Sequence, residues 1–254
     1  MLLYYFIHCC TKTVTVNIIQ VCLKSSAVVL YLFKEAQQKD INDMNNEIIA
    51  PKKCRGRPAS FDRNELISQV MELFWERGYN NLSLNEIAKA TGLTRASLYN
   101  AFKTKASLFL EAINQYSTNS PGKILTQIRK GDPVGPVFFR LFSDASKNLA
   151  ADSKHRGCLA VNCMSELIPG NSELGDTLAK MQVEQRTLIE LLIRQAIDQK
   201  ELPGDTESET TADIIQAFLS GFSIFSKSGV SEQKLQAMAH SFLKHLGFND
   251  PAEG

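Results

Sequence analysis

The residues from Thr94 to Asn100 have the side chains best suited to bind a polar partner. Hydroxyl, amide, phenol and guanidinium groups recur there at Thr94, Arg95, Ser97, Tyr99 and Asn100. Such groups form hydrogen bonds with base edges and phosphates in the major groove of DNA. Lys103 and Lys105 follow, where cations and the N–H groups of a helix start can hold phosphate. We therefore predict a DNA-contacting surface from these residues, and Ser83 joins it from the start of the preceding helix.

The elements that must present these side chains form a predicted helix-turn-helix over residues 84–103. Ser83 and Glu86 have the spacing of a capping box for its first helix. Ala88 is small enough to face the second helix, and Gly92 tolerates the positive φ that the turn needs. Apolar residues that would fix the crossing angle of the two helices are Ile87, Leu93, Leu98 and Ala101. An ordinary helical hairpin with a polar outer face would have similar spacing.

The distribution of charge favours the helix-turn-helix. Residues 51–110 contain ten Lys or Arg and five Asp or Glu, whereas residues 111–254 contain fourteen basic and eighteen acidic residues. A basic segment beside an acidic remainder is typical of a DNA-binding module joined to another domain. Residues 44–60 form a predicted flexible arm that would enter the minor groove or follow the phosphates, unless it is a solvated tail. Its cations are Lys52, Lys53, Arg55 and Arg57.

Residues 56–116 resemble the N-terminal domain of the TetR/AcrR family of repressors. The matching motifs are F-x-x-x-G-Y at Phe74 to Tyr79, S-L-x-x-I-A at Ser83 to Ala88, G-L-T-x-A-S-L-Y at Gly92 to Tyr99, and F-K-x-K-x-x-L at Phe102 to Leu108. The resemblance implies a bacterial, Ω-shaped homodimer that binds a palindromic operator in double-stranded DNA. It also implies a small-molecule effector of unknown identity, a pocket in the larger domain, and a dimer interface formed by the last two helices.

The periodicity of apolar residues predicts an all-α chain. We expect a three-helix DNA-binding domain over residues 61–107 and a larger helical ligand-binding and dimerisation domain over residues 108–254. Beyond residue 117, helices are predicted over about 137–151, 157–167, 172–200, 208–227 and 231–246, and the last two have apolar stripes suited to an interface or to a core.

Residues 1–43 differ from the rest of the chain. Two apolar runs occur there, but neither is long enough to span a bilayer, and no basic segment precedes them as in a secretory signal. We expect this stretch to lie outside the folded protein, with Met44 as the natural start of translation. A peripheral membrane anchor is the alternative.

The six cysteines do not have the spacing of a zinc site, and we predict neither a metal nor a cofactor. Free thiols are typical of a cytoplasmic protein. Cys158 follows Arg156 and Gly157 at a predicted helix start, where cations and the helix N-terminus favour a reactive thiolate. It is either a redox or electrophile sensor or a small buried residue. A nucleophile–base pair of Cys158 with His155 would indicate an enzyme, but no acid or oxyanion-stabilising group accompanies it, so we expect none.

Apolar residues of the larger domain are the candidates for an effector pocket, although each could equally be core. Together with Cys158 they are Phe138, Phe142, Met164, Met181, Phe218 and Phe222. Their size would suit a bulky hydrophobic effector. The sequence therefore predicts a DNA-binding regulator, most simply a repressor released by a ligand, and the thiol-sensing repressor is its alternative.

Overall fold

The computed structural model describes residues 61–170 and 172–249, and these form α-helices and two short 3₁₀ segments without any strand. The 3₁₀ segments are Pro121–Gln127 and Ile168–Gly170. The helices of the described residues are α1 (Arg63–Arg77), α2 (Leu84–Thr91), α3 (Arg95–Phe102), α4 (Lys105–Asn119), α5 (Gly135–Ala151), α6 (Leu159–Leu167), α7 (Glu173–Asp198), α8 (Ser208–Ser226) and α9 (Glu232–His245). The all-α prediction is confirmed, while the predicted arm and residues 1–43 lie outside the described part.

The first four helices begin at side chains that accept hydrogen bonds from free backbone N–H groups. Asp62 accepts from Asn64 and Glu65, Thr94 accepts from Ser97, and Thr104 does the same for α4. The predicted capping box before α2 is present in both directions, between Ser83 and Glu86. Gly92 ends α2 with φ 69° and ψ 13°, the left-handed conformation that the turn was predicted to need.

One hydrophobic core joins α1 to α4 with α6 and the start of α7. Its largest buried side chains include Phe74, Phe109 and Ile87, each at most 1% exposed. Leu159 and Leu178 belong to the same core although they lie far along the chain. The predicted boundary at residues 107 and 108 therefore falls inside α4, whose buried side chains belong to this first core.

A second core lies between α5, α7, α8 and α9 and is rich in phenylalanine. Phe142 contacts Phe218, Phe222 and Phe242, with ring centroids 5.5, 5.7 and 5.9 Å away. Helix α9 packs on α5, and α7 packs on α8. None of the helices in the described part combines the length and apolar composition that a membrane span needs.

The apolar stripe of α9 faces the second core, and the sequence analysis had allowed either a core or an interface for it. Leu235 and Leu243 are fully buried, and Phe242 is half-buried against the second core. Because α5 already covers this stripe, core packing accounts for it. Among the described residues, the large apolar side chains that stay exposed lie on α7 and α8, apart from Tyr99 on α3: Val183, Leu191, Ile214, Ile224 and Phe225.

Candidate nucleic-acid interface

Helix α3 has one buried face and one exposed face. Leu98 is 1% exposed and Phe102 is 4% exposed, because both pack into the first core. The opposite face presents Thr94, Arg95, Tyr99 and Asn100 to solvent, and Ser97 is half-buried between the two faces. The structure therefore brings the predicted contact residues of this helix together on one surface. Tyr99 is 58% exposed, which is unusual for an aromatic residue and typical of a binding surface.

The short connection between α2 and α3 fixes how this face is presented. The N–H of Leu93 donates to the carbonyl of Ala88 at 3.0 Å, and Ile87 and Ala88 are buried against the core. At the start of α3, the Thr94 hydroxyl accepts from the Ser97 N–H at 3.1 Å and lies 2.9 Å from the Ser97 hydroxyl. The two hydroxyls therefore hold each other in place beside the exposed face.

Ser83 has a capping role in the structure. Its hydroxyl and its N–H both donate to Glu86 Oε2, at 2.7 and 2.8 Å, and its oxygen accepts from the Glu86 N–H at 3.2 Å. The side-chain and backbone hydrogen bonds from Ser83 lower the pKa of the Glu86 carboxyl. Ser83 is exposed before α2, outside the exposed face of α3, and its DNA contact remains a prediction.

Lys105 differs from the phosphate-binding residue that we predicted. Its Nζ donates to the carbonyls of Tyr79 and Leu82, at 3.0 and 2.8 Å, and lies 4.0 Å from the centre of the Tyr79 ring. Desolvation lowers the pKa of this ammonium. The charge therefore stabilises the loop between α1 and α2, whereas Lys103 is exposed. Nothing in the local sequence shows which carbonyls a lysine will meet in the folded chain.

Arg156 links the larger domain to α1, and the sequence analysis missed this contact. Its Nη1 lies 2.6 Å from Glu72 Oε2 and its Nη2 lies 3.1 Å from Asp152 Oδ1. The guanidinium also lies over the Trp75 ring, 4.1 Å from the centroid. Arg156 was predicted to act on the Cys158 thiol, but the structure pairs its charge with two carboxylates.

Cys158 lies directly before α6 and contacts two other helices. The hydroxyl of Tyr116 on α4 donates to its sulfur at 3.3 Å, and its N–H donates to the Ser223 hydroxyl on α8 at 2.8 Å. Cys158 is half-buried, whereas Cys163 is buried and its pKa is raised to about 12, mainly by burial. His155 was considered in the sequence analysis as a base for Cys158. In the structure the imidazole of His155 lies beside Gly229, and the side chain that donates a hydrogen bond to the Cys158 sulfur is Tyr116.

The predicted effector residues do not line one site. Phe138, Phe142 and Phe222 are at most 3% exposed in the second core, and Phe218 packs against them. Met164 and Met181 pack against the first core instead. An open groove of about 320 Å³ lies between α7 and α8, lined by other residues, among them Val183, Arg186 and Ala217. Within the described residues, no group of three or more His, Cys, Asp or Glu side chains has the arrangement of a metal site.

Two family models match the chain. Residues 66–112 match bacterial regulatory proteins of the tetR family, and residues 139–242 match a tetracyclin repressor-like C-terminal domain. The transcriptional repressor ComR of Escherichia coli K12 is 27% identical over 194 residues, which are 76% of this chain and 92% of ComR. The regulator AcuR of Cereibacter sphaeroides is 27% identical over 207 residues, or 78% of this chain and 93% of AcuR.

Solved structures give the same result. A cysteine mutant of the TetR family transcriptional regulator CifR, complexed with 26bp double-strand operator DNA, has a TM-score of 0.66 and 27% identity, and the match covers 75% of this chain and all of that one. A regulatory protein from Rhodobacter sphaeroides has a TM-score of 0.61 at 23% identity, covering 72% of this chain and 97% of that one. The second likeness concerns the fold alone.

Proposed function

This chain belongs to the TetR family of bacterial transcriptional regulators, and from that premise we propose that it is a repressor released from its operator by a small molecule. It is a DNA-binding regulator of transcription. The proposal adds three features: a palindromic operator, a homodimer that places one α3 in each half-site, and an effector that binds in the larger domain.

The exposed face of α3 is the observation that supports DNA contact at named residues. Arg95, Tyr99 and Asn100 project from a helix whose other side is locked into the core. A guanidinium, a phenol and an amide on one face match the donors and acceptors of base edges and phosphates in the major groove. We assign these three side chains, with Thr94 and Ser97, to sequence recognition, and Lys103 and the cations of residues 52–57 to phosphate.

The test begins by selecting genomic fragments that the full chain binds, and the DNA upstream of its own gene is the first to examine. Binding of the recovered fragment is then measured by gel shift across a salt series. We expect Arg95→Ala and Tyr99→Ala each to weaken binding by about tenfold or more. The matched control is Arg140→Ala, which removes an arginine that is 73% exposed on α5 and lies outside the α3 face. Binding without sequence preference, or an equal loss in the control, would contradict the assignment.

The homodimer that we propose uses the exposed face of α7 and α8. On α8, Ile214, Ala217, Gly221 and Ile224 follow one another at three- and four-residue intervals, so they share one exposed side of the helix. The small residues in the middle of this stripe would let a second helix approach closely. A water-exposed apolar stripe of this kind is typical of a protein–protein interface.

The effector site that we propose lies in the phenylalanine-rich second core. Phe218 and Phe242 stack with ring centroids 3.8 Å apart and are only half-buried, so a bulky apolar molecule could displace them. Phe218→Ala would then change the concentration of apolar compound that releases operator DNA, while the affinity for the operator without compound stays the same. A loss of operator affinity alone would contradict this placement.

A thiol-sensing repressor is the second candidate, because the Cys158 sulfur joins two helices. The sulfur accepts from Tyr116 on α4, the helix that completes the DNA-binding core, and lies at the start of α6. A group added to the sulfur would break that hydrogen bond and push α4 and α6 apart. The signal for DNA release would then be an electrophile or oxidant.

The two candidates give different results with N-ethylmaleimide, a thiol-reactive electrophile. If Cys158 is the sensor, peptide mass spectrometry finds the adduct there, and Cys158→Ser abolishes release from the operator. Cys163→Ser is the matched control and should leave the response intact, since Cys163 is buried and remains protonated at neutral pH. Release that persists in Cys158→Ser would remove the thiol mechanism and leave the non-covalent effector.

A further inference from the structure

The carboxylate of Glu166 on α6 binds the backbone of the loop between α1 and α2. Its Oε2 accepts from the N–H of Tyr79 at 2.9 Å, and its Oε1 accepts from the N–H of Asn80 at 2.7 Å. Glu166 is half-buried and lies 86 residues further along the chain than Asn80. Hydrogen bonds from N–H groups to a carboxylate are shorter and stronger than those between neutral groups. A side chain of the larger domain therefore holds two backbone groups of the DNA-binding domain.

Gly78 gives this carboxylate the room that it needs. Its φ is 77°, and a Cβ at this position would lie 2.8 Å from Glu166 Oε2. Any other residue would therefore be strained in its backbone, and its Cβ would displace the carboxylate from the position that it has here. Gly78 therefore has two roles. It adopts the positive φ at the end of α1, and it leaves room for the Glu166 carboxylate.

Lys105 holds the same loop through its carbonyl groups. The ammonium binds the carbonyls of Tyr79 and Leu82, while Glu166 takes the N–H groups of Tyr79 and Asn80. The peptide groups that lead into α2 are thus fixed from both sides by opposite charges. This loop determines the orientation of α2. Ile87 on α2 and Leu98 on α3 are buried in the same core, so the orientation of α3 follows that of α2.

The other end of α6 is attached to α8. The N–H of Cys158 donates to Ser223, and a Cβ on Gly157 would lie 2.9 Å from the Ser223 carbonyl. Helix α6 has nine residues, which gives a length of about 13 Å. A short helix that is bound at one end to α8 and at the other to the loop before α2 cannot shift without moving one of them.

From these contacts we propose that Glu166 is a positioning residue that sets the orientation of the helix-turn-helix on the larger domain. The inference rests on the proposed function, since it assumes that the chain binds an operator as a dimer. In such a dimer, the orientation of each domain determines the distance between the two α3 helices. Half-sites separated by one turn of DNA, about 34 Å, are recognised only when that distance matches. Without Glu166, the distance between the two α3 helices would vary more, while the side chains that contact DNA would stay unchanged.

The main test compares Glu166→Gln with Glu111→Gln. Glu111 also makes a carboxylate contact between two helices, at 2.6 Å from Arg63, but within the DNA-binding domain. Gel shifts use the fragment recovered in the selection above and variants of it with one base pair added or removed between half-sites. We expect Glu166→Gln to weaken binding to the natural spacing about tenfold. Its ratio of affinities between natural and altered spacing should fall toward one, while Glu111→Gln keeps the wild-type ratio.

Amide hydrogen exchange supplies a readout that does not depend on DNA. Tyr79 and Asn80 should exchange faster in Glu166→Gln than in the wild type, at unchanged circular dichroism. A double-mutant cycle combines Gly78→Ala with Glu166→Ala. Gly78→Ala should lower the free energy of unfolding less in the Glu166→Ala background than in the wild type, because the carboxylate that the new Cβ would meet is absent.

The outcomes separate this inference from the proposed function. If the wild type selects no specific fragment, the proposed function fails and the inference fails with it. If the wild type binds and discriminates spacing but Glu166→Gln behaves in the same way, only the inference fails. Equal loss of spacing discrimination in Glu111→Gln would also overturn it, because the effect would then come from the DNA-binding domain alone.

Discussion

Lys103 and Lys105 are two residues apart, but their ammonium groups have different surroundings. Lys105 binds two backbone carbonyls beside the Tyr79 ring, and Lys103 is exposed at the end of α3. We expect Lys105→Met to lower the free energy of unfolding by about 1–3 kcal/mol, because two carbonyls lose a charged donor. Lys103→Met should leave stability unchanged and reduce the slope of log affinity against log salt by about two, because each of the two subunits of the dimer loses one phosphate contact. Urea unfolding and salt-dependent gel shifts measure the two effects.

The opposite result would reassign Lys105. If Lys105→Met changed the salt dependence as much as Lys103→Met and left the unfolding midpoint unaltered, the lysine would be a phosphate contact after all. The sequence places both lysines near the recognition helix, and only the folded loop distinguishes them.

Asp152 gives the contact between Arg156 and α1 a pH dependence. Burial acts to raise the pKa of Asp152, but the hydrogen bonds and charge of Arg156 outweigh it, so the pKa lies below its usual value. A carboxyl with a lowered pKa in the folded state stabilises the protein above the unfolded pKa, near 4, and this stabilisation is lost as pH falls through the folded pKa.

Asp152→Asn should therefore cost stability at pH 7 and cost less at pH 3. We expect a loss of about 1–3 kcal/mol in unfolding free energy at neutral pH, since Asp152 bonds to a charged, mostly buried partner. Asp144→Asn is the matched control, because Asp144 forms two exposed pairs at 3.7 Å that should contribute little at either pH. A difference between wild type and Asp152→Asn that does not change with pH would contradict the assignment.

At the scale of elements, two glycines with positive φ have different requirements. A Cβ on Gly92, between α2 and α3, would have no atom within 4 Å, so Gly92→Ala should cost only about 1 kcal/mol of backbone strain. A Cβ on Gly157, before α6, would lie 2.8 Å from Lys227 and 2.9 Å from the Ser223 carbonyl. Gly157→Ala should therefore cost more, because the start of α6 must move away from α8.

Thermal unfolding of both variants ranks the two costs. Gly157→Ala should also change the response to an effector, since it alters the attachment of α6, whereas Gly92→Ala should not. Equal destabilisation of the two variants would mean that the backbone of α8 yields to the added methyl group.

The elements differ in how well the sequence predicts them. Local signals determine the capping box at Ser83, the left-handed Gly92 and the burial of Leu98, so the helix-turn-helix could be predicted with its exposed face. The roles of Lys105, Arg156 and Glu166 depend on contacts between residues 23 to 87 positions apart, which no local pattern encodes. The apolar stripe of α9 is a further example. The periodicity of apolar residues identifies the apolar side of a helix, but it does not show which other helix packs against that side.

For the whole molecule, the contacts form one continuous connection from the proposed interface to the DNA-binding surface. Ser223 on α8 binds the start of α6, Arg156 and Tyr116 connect that region with α1 and α4, and Glu166 binds the loop before α2. A change at α8 or in the second core therefore has a physical route to α3. The buried interactions along this route are also part of the fold, so stability and regulation depend on the same residues.

The last prediction concerns which helices form the dimer. Ala217 on α8 and Ala237 on α9 are both exposed alanines within helices, so the same change can be made at each. Ala217→Glu would place a charge in the middle of the apolar stripe and should convert the dimer to monomers in analytical ultracentrifugation, with at least tenfold weaker operator binding. Ala237→Glu should leave the dimer intact if α7 and α8 form the interface. Dissociation by Ala237→Glu as well would restore the last two helices as the interface, and a dimer unaffected by Ala217→Glu would exclude the α8 stripe.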